Sequence, residues 1–247
     1  MLYLISLGLW DEKDMTVKAL EAGKACDKLY LEAYTNKMEV TAQSLSTIFG
    51  KEVAEAKRQD LEDNFHQILS EAKSKSVGIL VGGDALAATT HMSILVEARK
   101  AGVPVKVIHG PSIFSAIAET GLHLYKFGRA VTIPYAQEGY EPTGFYDDIR
   151  KNLSLGLHTL ILLDVKPPRY MTVLEGLETL LKIEKSKGSG VLTERKVVAA
   201  CQLGGSGAIR YATPKQLMQD KSLEATPAVI IIPGELHFSE KEYLESL

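Results

Sequence analysis

The chain has 247 residues, of which 45% are hydrophobic and 24% charged. That is enough for one large α/β domain or two smaller ones with a sizeable core. Lys and Arg number 28 against 31 Asp and Glu, a formal net charge of -3, which argues against a nucleic-acid binder that relies on a broad basic surface. Cys26 and Cys201 have neither metal-ligand spacing nor a disulfide framework and read as buried thiols of a cytoplasmic protein.

Residues 2–7 are apolar, lack a basic flank and run straight into Asp11-Glu-Lys-Asp14, so they are expected as a first strand, not as a signal peptide or membrane span. Asp14 is placed to cap a helix over 15–25, and 28–34 is a second strand. Residues 39–49 and 60–74 have a helical pattern, with Phe65, Ile68 and Leu69 on one apolar face. Val77-Gly-Ile-Leu-Val81 then reads as a strand buried on both faces. Gly82 and Gly83 break it, and Asp84 stands where a helix over 85–100 is expected to begin, with Ala101-Gly102 as its stop. Residues 104–108 form another strand. This alternation predicts parallel pairing through crossover helices.

The chain changes direction near His109-Gly-Pro-Ser112, which sets expected domains at 1–110 and 111–247, with Ser112 capping a helix through 119. Residues 129–134 read as a strand and 135–144 as a loop rich in turn formers and aromatics. A helix over 145–157, a strand over 159–165 and a helix over 171–187 closed by Gly188 follow. Residues 196–203 and 208–212 are strands joined by Gly204-Gly-Ser-Gly207. The last strand is 228–232, and a short acidic helix comes after it.

Several chemistries are absent. The chain has no Gly-x-x-x-x-Gly-Lys-[Ser/Thr] loop, no Gly-x-Ser-x-Gly elbow, and no Gly-x-Gly-x-x-Gly after its first strand, where Ser6-Leu-Gly-Leu-Trp10 stands. The six histidines are scattered without metal spacing. What remains is a set of strand ends that stop in Gly, Asp or small residues. They are Leu7-Gly-Leu9, Gly82-Gly-Asp84, His109-Gly-Pro-Ser-Ile113, Leu163-Asp-Val165, Leu203-Gly-Gly205 and Pro233-Gly-Glu-Leu-His237. Such ends expose backbone groups at the edge where open α/β sheets bind ligands. Taken singly each is an ordinary turn, and for Asp84 a ligand contact and a plain helix cap both stay open.

The residues at these ends resemble a known family. Leu7-Gly-Leu-Trp-Asp-Glu-Lys-Asp-Met-Thr16, Glu32-Ala-Tyr-Thr35, Gly82-Gly-Asp-Ala-Leu-Ala-Ala-Thr-Thr-His91, Ser112-Ile113 and Thr120-Gly-Leu-His-Leu-Tyr-Lys-Phe-Gly128 are similar to diphthine synthases of the tetrapyrrole methylase superfamily. The resemblance covers essentially the whole chain. It implies two α/β domains of the tetrapyrrole methylase type, a cytoplasmic homodimer, and S-adenosylmethionine bound in the interdomain cleft and released as S-adenosylhomocysteine. The implied substrate is the amino group of a modified histidine in translation elongation factor 2, in diphthamide biosynthesis, with a trimethylated amine as product. The implied cofactor contacts are Leu9, Asp84, Ala87, Ser112, Ile113, Leu163, Leu203 and His237, with no metal and no direct contact with nucleic acid or membrane. Ala85 stands where the family usually has Pro, and Trp10 where Gly is common.

Methyl transfer from a sulfonium needs alignment above all. An α-amino acceptor, with an ordinary pKa of roughly 7.7–8.0, has a useful neutral fraction near neutrality. No side chain is therefore assigned as an essential acid or base. Asp84 is expected to hold the methyl donor, His91 to be structural, Thr89 and Thr90 to pack a helix, and Ser112 to cap and contact at once. His237 is either a surface residue or an adenine-side contact. Tyr135, Tyr140, Phe145 and Tyr146, with Lys166 and Arg169, are candidates for docking the protein substrate, or for a loop that only covers the cleft or dimer seam. Two other readings are a precorrin methyltransferase of the same fold, which the Thr120–Gly128 segment argues against, and a non-catalytic nucleotide-binding regulatory module.

Overall fold

Five buried residues in a row, Val77–Val81, form the strand on which the first half of the chain is arranged. In the computed structural model, which describes residues 1–35 and 37–247, the chain falls into two units, Met1–Ala116 and Ile117–Leu247. The first holds strands β1 (Leu2–Ser6), β2 (Lys28–Glu32), β3 (Val53–Ala56), β4 (Val77–Val81) and β5 (Val105–Ile108) in the order β3-β2-β4-β1-β5, all parallel. Between them run helices α1 (Val17–Ala25), α2 (Ala42–Phe49), α3 (Arg58–Glu62), α4 (Phe65–Ala72) and α5 (Met92–Lys100).

Alternation along the strands decides which helix covers which face. Ile5, Leu29, Leu31 and Leu80 pack with Ala19, Leu45 and Phe49 of α1 and α2. Leu2, Leu4, Val77, Ile79 and Val81 pack with Leu61, Phe65, Ile68, Leu69, Ile94 and Ala98 of α3, α4 and α5. The helices after β1 and after β4 thus lie on opposite faces, although these strands are neighbours. The chain therefore leaves the neighbouring carboxyl ends of β1 and β4 towards opposite faces, the arrangement at which open α/β sheets bind ligands.

β3 falls between the helices expected over 39–49 and 60–74, where no element is expected; Val53-Ala-Glu-Ala56 has little β preference, and pairing with β2 along its whole length makes it extended. Two local expectations fail. The helix expected over 60–74 is divided into α3 and α4. Asp14 does not cap α1: Thr16 does, through its hydroxyl on the Ala19 N–H at 3.1 Å, and Asp14 turns back to the loop after β1.

After the short α6 (Ile113–Ala116), the second unit has β6 (Val131–Ile133), α7 (Gly144–Ser154), β7 (Thr159–Leu163), a hairpin of β8 (Val165–Lys166) with β9 (Arg169–Tyr170), and α8 (Val173–Lys187). β10 (Val197–Cys201), β11 (Ile209–Ala212), α9 (Pro214–Leu217), β12 (Ala228–Ile232) and α10 (Phe238–Glu245) complete it. Its sheet runs β11-β10-β12-β7-β6 and is mixed, β6 and β7 being its parallel pair. Tyr146, Ile161, Leu177, Val197 and Ile230 are at the centre of its core. Among the described residues no helix is long and apolar enough to cross a membrane.

One carboxylate ties the end of this unit together. Glu240, in the first turn of α10, is fully buried. Its Oε1 accepts the His123 N–H at 2.8 Å and meets His158 Nε2 at 2.9 Å. Its Oε2 accepts Lys126 Nζ at 2.6 Å and the His237 N–H at 2.7 Å. Burial pushes its pKa up, but the Lys126 ammonium and the two backbone donors outweigh this and hold it at about 2, against 4.5. Because the folded pKa is depressed, the stabilisation is present above the ordinary carboxylate pKa and is lost as pH falls from about 4.5 towards 2. Glu240→Gln should lower the unfolding free energy by about 3 kcal/mol at neutral pH. Urea titrations of the two proteins are expected to converge as the pH is taken from 5 down to 2.

Candidate active site

Strands β4, β1 and β5 lie side by side, and their carboxyl ends release three loops at one edge. The loop ends of β1 and β4 are locked by an antiparallel pair: Gly8 donates to the Gly83 carbonyl at 3.2 Å and Gly83 donates to the Gly8 carbonyl at 2.6 Å. The loop after β1 is held from beneath by Asp14, whose Oδ2 accepts the N–H groups of Leu9 at 3.2 Å and Trp10 at 2.7 Å. Among the described residues no hydrogen bond reaches the Leu9 carbonyl. Buried Ser6, at the end of β1, accepts the Ala85 N–H on its hydroxyl at 3.0 Å.

Asp84 joins the loops after β4 and β5. Its Oδ1 accepts the Leu86 N–H at 3.0 Å, and its Oδ2 accepts His109 Nδ1 at 2.8 Å and the Gly110 N–H at 3.2 Å. Burial raises its pKa, but the Leu86 N–H, the His109 ring and the Gly110 N–H together bring it below the ordinary value, so it is a carboxylate at neutral pH. The expected helix over 85–100 begins only at Met92. Asp84 is therefore not its cap; it closes an Asx turn on Leu86. Ala88 at φ 56° turns the backbone left-handed, and the Thr89 hydroxyl donates to the Ala85 carbonyl at 3.0 Å in place of the expected helix packing. Thr90 is exposed and offers its carbonyl to the Ser93 hydroxyl. His91 is buried, as a structural residue should be, with Nδ1 on the Ala85 carbonyl at 3.1 Å and Nε2 3.9 Å from Glu32. Ala87 lies within this loop, while Ser112 and Ile113 follow β5. Ser112 is buried, and its N–H donates to the Ser115 hydroxyl at 3.2 Å. Leu9, Asp84, Ala87 and Ser112 thus sit on loops of one sheet edge, and Ile113 opens α6 just beyond it.

In the second unit, β7 and β10 each pair antiparallel with β12 and so run the same way. Leu163 and Leu203 therefore lie at one edge of that sheet, near the start of β12, where Cys201 is beside Ala228 and Leu162 beside Val229. His237 follows the end of β12, at the opposite edge, where Ile232 is beside Thr159. It is an exposed N-cap of α10, with Nδ1 on the Ser239 hydroxyl at 2.8 Å, and is not brought together with Leu163 and Leu203. The docking candidates also separate. Tyr146 is fully buried with its hydroxyl on Glu184, and Phe145 packs against the same core. The Tyr135 ring is covered by Arg169, whose guanidinium lies 4.0 Å from the ring centre and pairs with Glu175 at 2.6 Å. Of those aromatics Tyr140 points outward, 63% exposed.

Residues 1–204 match the family of Tetrapyrrole (Corrin/Porphyrin) Methylases. A diphthine synthase from Methanocaldococcus jannaschii is 40% identical over 254 residues, covering 100% of this chain and 98% of its own. The chain belongs to the diphthine synthase family. A diphthine methyl ester synthase from Schizosaccharomyces pombe is 37% identical, covering 100% of this chain and 94% of its own. Among solved structures, a diphthine synthase superposes with a TM-score of 0.89 at 34% identity, covering 99% of this chain and 94% of that one. A provisionally assigned diphthine synthase from Entamoeba histolytica gives 0.92 at 39% identity, covering 100% and 97%.

Membership makes the chain a methyltransferase, with the α/β architecture of the tetrapyrrole methylases, and gives meaning to its departures from the diphthine synthase pattern. Ala85 keeps an N–H that the family's usual Pro lacks, and that N–H is the one bonded to Ser6. Trp10 uses its backbone on both sides, its N–H on Asp14 and its carbonyl on the Glu39 N–H at 2.8 Å. Ser6, Asp14 and His109 were missed as site residues by sequence reasoning. Ser6 had one local signal, a polar residue closing an apolar strand; the other two are identified only by tertiary contact.

The two paired glycines differ in room. Gly8, at φ +91°, has Asp14 Cβ 2.3 Å from where its own Cβ would be, whereas Gly83, at φ +72°, has nothing within 4 Å. Gly8→Ala is expected to lower unfolding free energy by roughly 2–4 kcal/mol and Gly83→Ala by about 1–2 kcal/mol, measured by chemical denaturation.

Proposed function

We propose that the chain transfers methyl groups from S-adenosylmethionine to the amino group of the modified histidine precursor in translation elongation factor 2, carries it to the trimethylated amine, and releases S-adenosylhomocysteine. The observation that carries this reading is the edge around Asp84, a braced carboxylate set among Leu9, Ala87, Ser112 and Ile113, in a chain 40% identical end to end to a diphthine synthase.

The residues at that edge suit such a donor. When bound, it supplies a methyl group on a positively charged sulfur. Asp84 offers negative charge, and Oδ1, with one hydrogen bond, keeps acceptor capacity. Ala87 and the Leu9 carbonyl leave room and polarity for a flat heterocycle or an amino-acid tail. Ser112 and Ile113 line the neighbouring loop, and Leu163 and Leu203 are the contacts assigned to the second unit. His237 has the weakest claim. A homodimer in the cytoplasm belongs to the same proposal.

The name of the fission-yeast relative favours a second product, a methyl ester, in which a carboxylate oxygen of the same group is also methylated. Incubation of the protein with labelled S-adenosylmethionine and unmethylated elongation factor 2, followed by mass spectrometry of the modified peptide, distinguishes trimethylamine from methyl ester. Transfer to a precorrin in place of the factor would overturn the reading. Asp84→Asn removes the charge and one acceptor oxygen while Asn can still close the turn on Leu86. Its dissociation constant for S-adenosylmethionine should rise about tenfold, which is ~1.4 kcal/mol by titration calorimetry.

A further inference from the structure

His109 is a polar side chain at this edge to which the family resemblance assigns no role, and its ring contacts Asp84 directly. Its ring is 70% exposed, yet it is held in one orientation by Nδ1 on Asp84 at 2.8 Å. The carboxylate can only accept, so Nδ1 carries a proton, and in the neutral form of the ring the lone pair is on Nε2. Among the described residues the ring's hydrogen bond is to Asp84, so Nε2 faces solvent. A carboxylate that fixes one imidazole nitrogen and leaves the other as acceptor is the arrangement of a general base.

The proposed reaction needs one. Each transfer to nitrogen forms an N–C bond as the C–S bond breaks, with its electron pair left on sulfur, and each must be preceded by loss of one proton from the ammonium so that nitrogen has a lone pair to attack with. In solution the acceptor's free neutral fraction can serve the first round. Later rounds on a bound, already methylated amine must discharge their protons at the site.

We propose that His109 is a catalytic base: Nε2 takes the proton that the acceptor nitrogen gives up before each methyl transfer and passes it to water, while Asp84 orients the ring. This rests on nitrogen methylation as proposed above, and it replaces the expectation that no side chain acts as a base.

His109→Ala should slow single-turnover methylation about 100-fold at pH ~7, with monomethylated factor accumulating, and the deficit should close above pH ~9, where the amine deprotonates unaided. Added imidazole should restore part of the rate. His109→Gln, which keeps a donor for Asp84 but has no basic nitrogen, should be as slow as Ala. In the cofactor-free protein, diethyl pyrocarbonate should carbethoxylate His109, seen by peptide mass mapping. A wild-type rate in either variant, a deficit that neither pH nor imidazole changes, or a ring inert to the reagent would each overturn the base. If the wild-type protein puts no methyl on nitrogen, it is the proposed function that fails instead.

Discussion

Asp84 receives hydrogen bonds from two loops that leave different strands, one from within the loop after β4 and two from the loop after β5. A partly buried charge is tolerable only when its oxygens are satisfied, so holding the charge and fixing the loops are one requirement. The Gly8–Gly83 pair then sets the loop after β1 beside them. The edge is therefore preorganised by loop backbone and one carboxylate, the helix after β4 starting only at Met92. Fixed backbone, small side chains and the braced Asp84 carboxylate suit the methyl donor proposed above, whose transfer demands alignment first.

The same device recurs. Glu32 accepts the N–H groups of Tyr34 at 2.7 Å and Thr35 at 2.8 Å where β2 ends. Asp164 accepts those of Tyr135 at 2.8 Å and Val165 at 2.9 Å beyond β7. Glu184 takes the N–H groups of Gly190, Val191 and Leu192 after α8, and Glu240 takes those of His123 and His237. Irregular segments in this chain are organised by carboxylates that collect backbone donors. Charge-assisted bonds of this kind are stronger than neutral ones, so short loops can be ordered without long hydrophobic runs of their own.

Much of the fold was legible because buried strands announce themselves. Val77–Val81 and Ala228–Ile232 lie where five apolar residues in a row place them, and α8 ends at Gly188, φ 58°, as a left-handed closing residue should. β3 was not legible, since Ala and Glu favour helices and only the partner strand makes Val53–Ala56 extended. The segment after Gly83 misled for the opposite reason. Ala85-Leu-Ala-Ala88 has strong helical preference, but Asp84 and Thr89 offer the backbone competing bonds and the helix waits for Met92. The site divides in the same way. Strand ends could be read from apolar runs and the site positions on them only from the family resemblance, whereas His109 became a partner of Asp84 only when β5 was placed beyond β1 and its loop brought back over the edge.

The place of β1 between two strands made later has a consequence for how the chain reaches this state. Its two neighbours are β4 and β5, and Leu2 pairs with Val77 and with Val105. On the ribosome, at roughly 5–20 residues per second, the first strand must wait about 4–15 s for its earlier partner to be made. Through that time an apolar segment with unpaired edges is held by nothing in its own sheet, and non-local parallel pairing of this kind is slow to form. A strand that ends up paired along both sides thus starts as one open to wrong partners while the protein is being born.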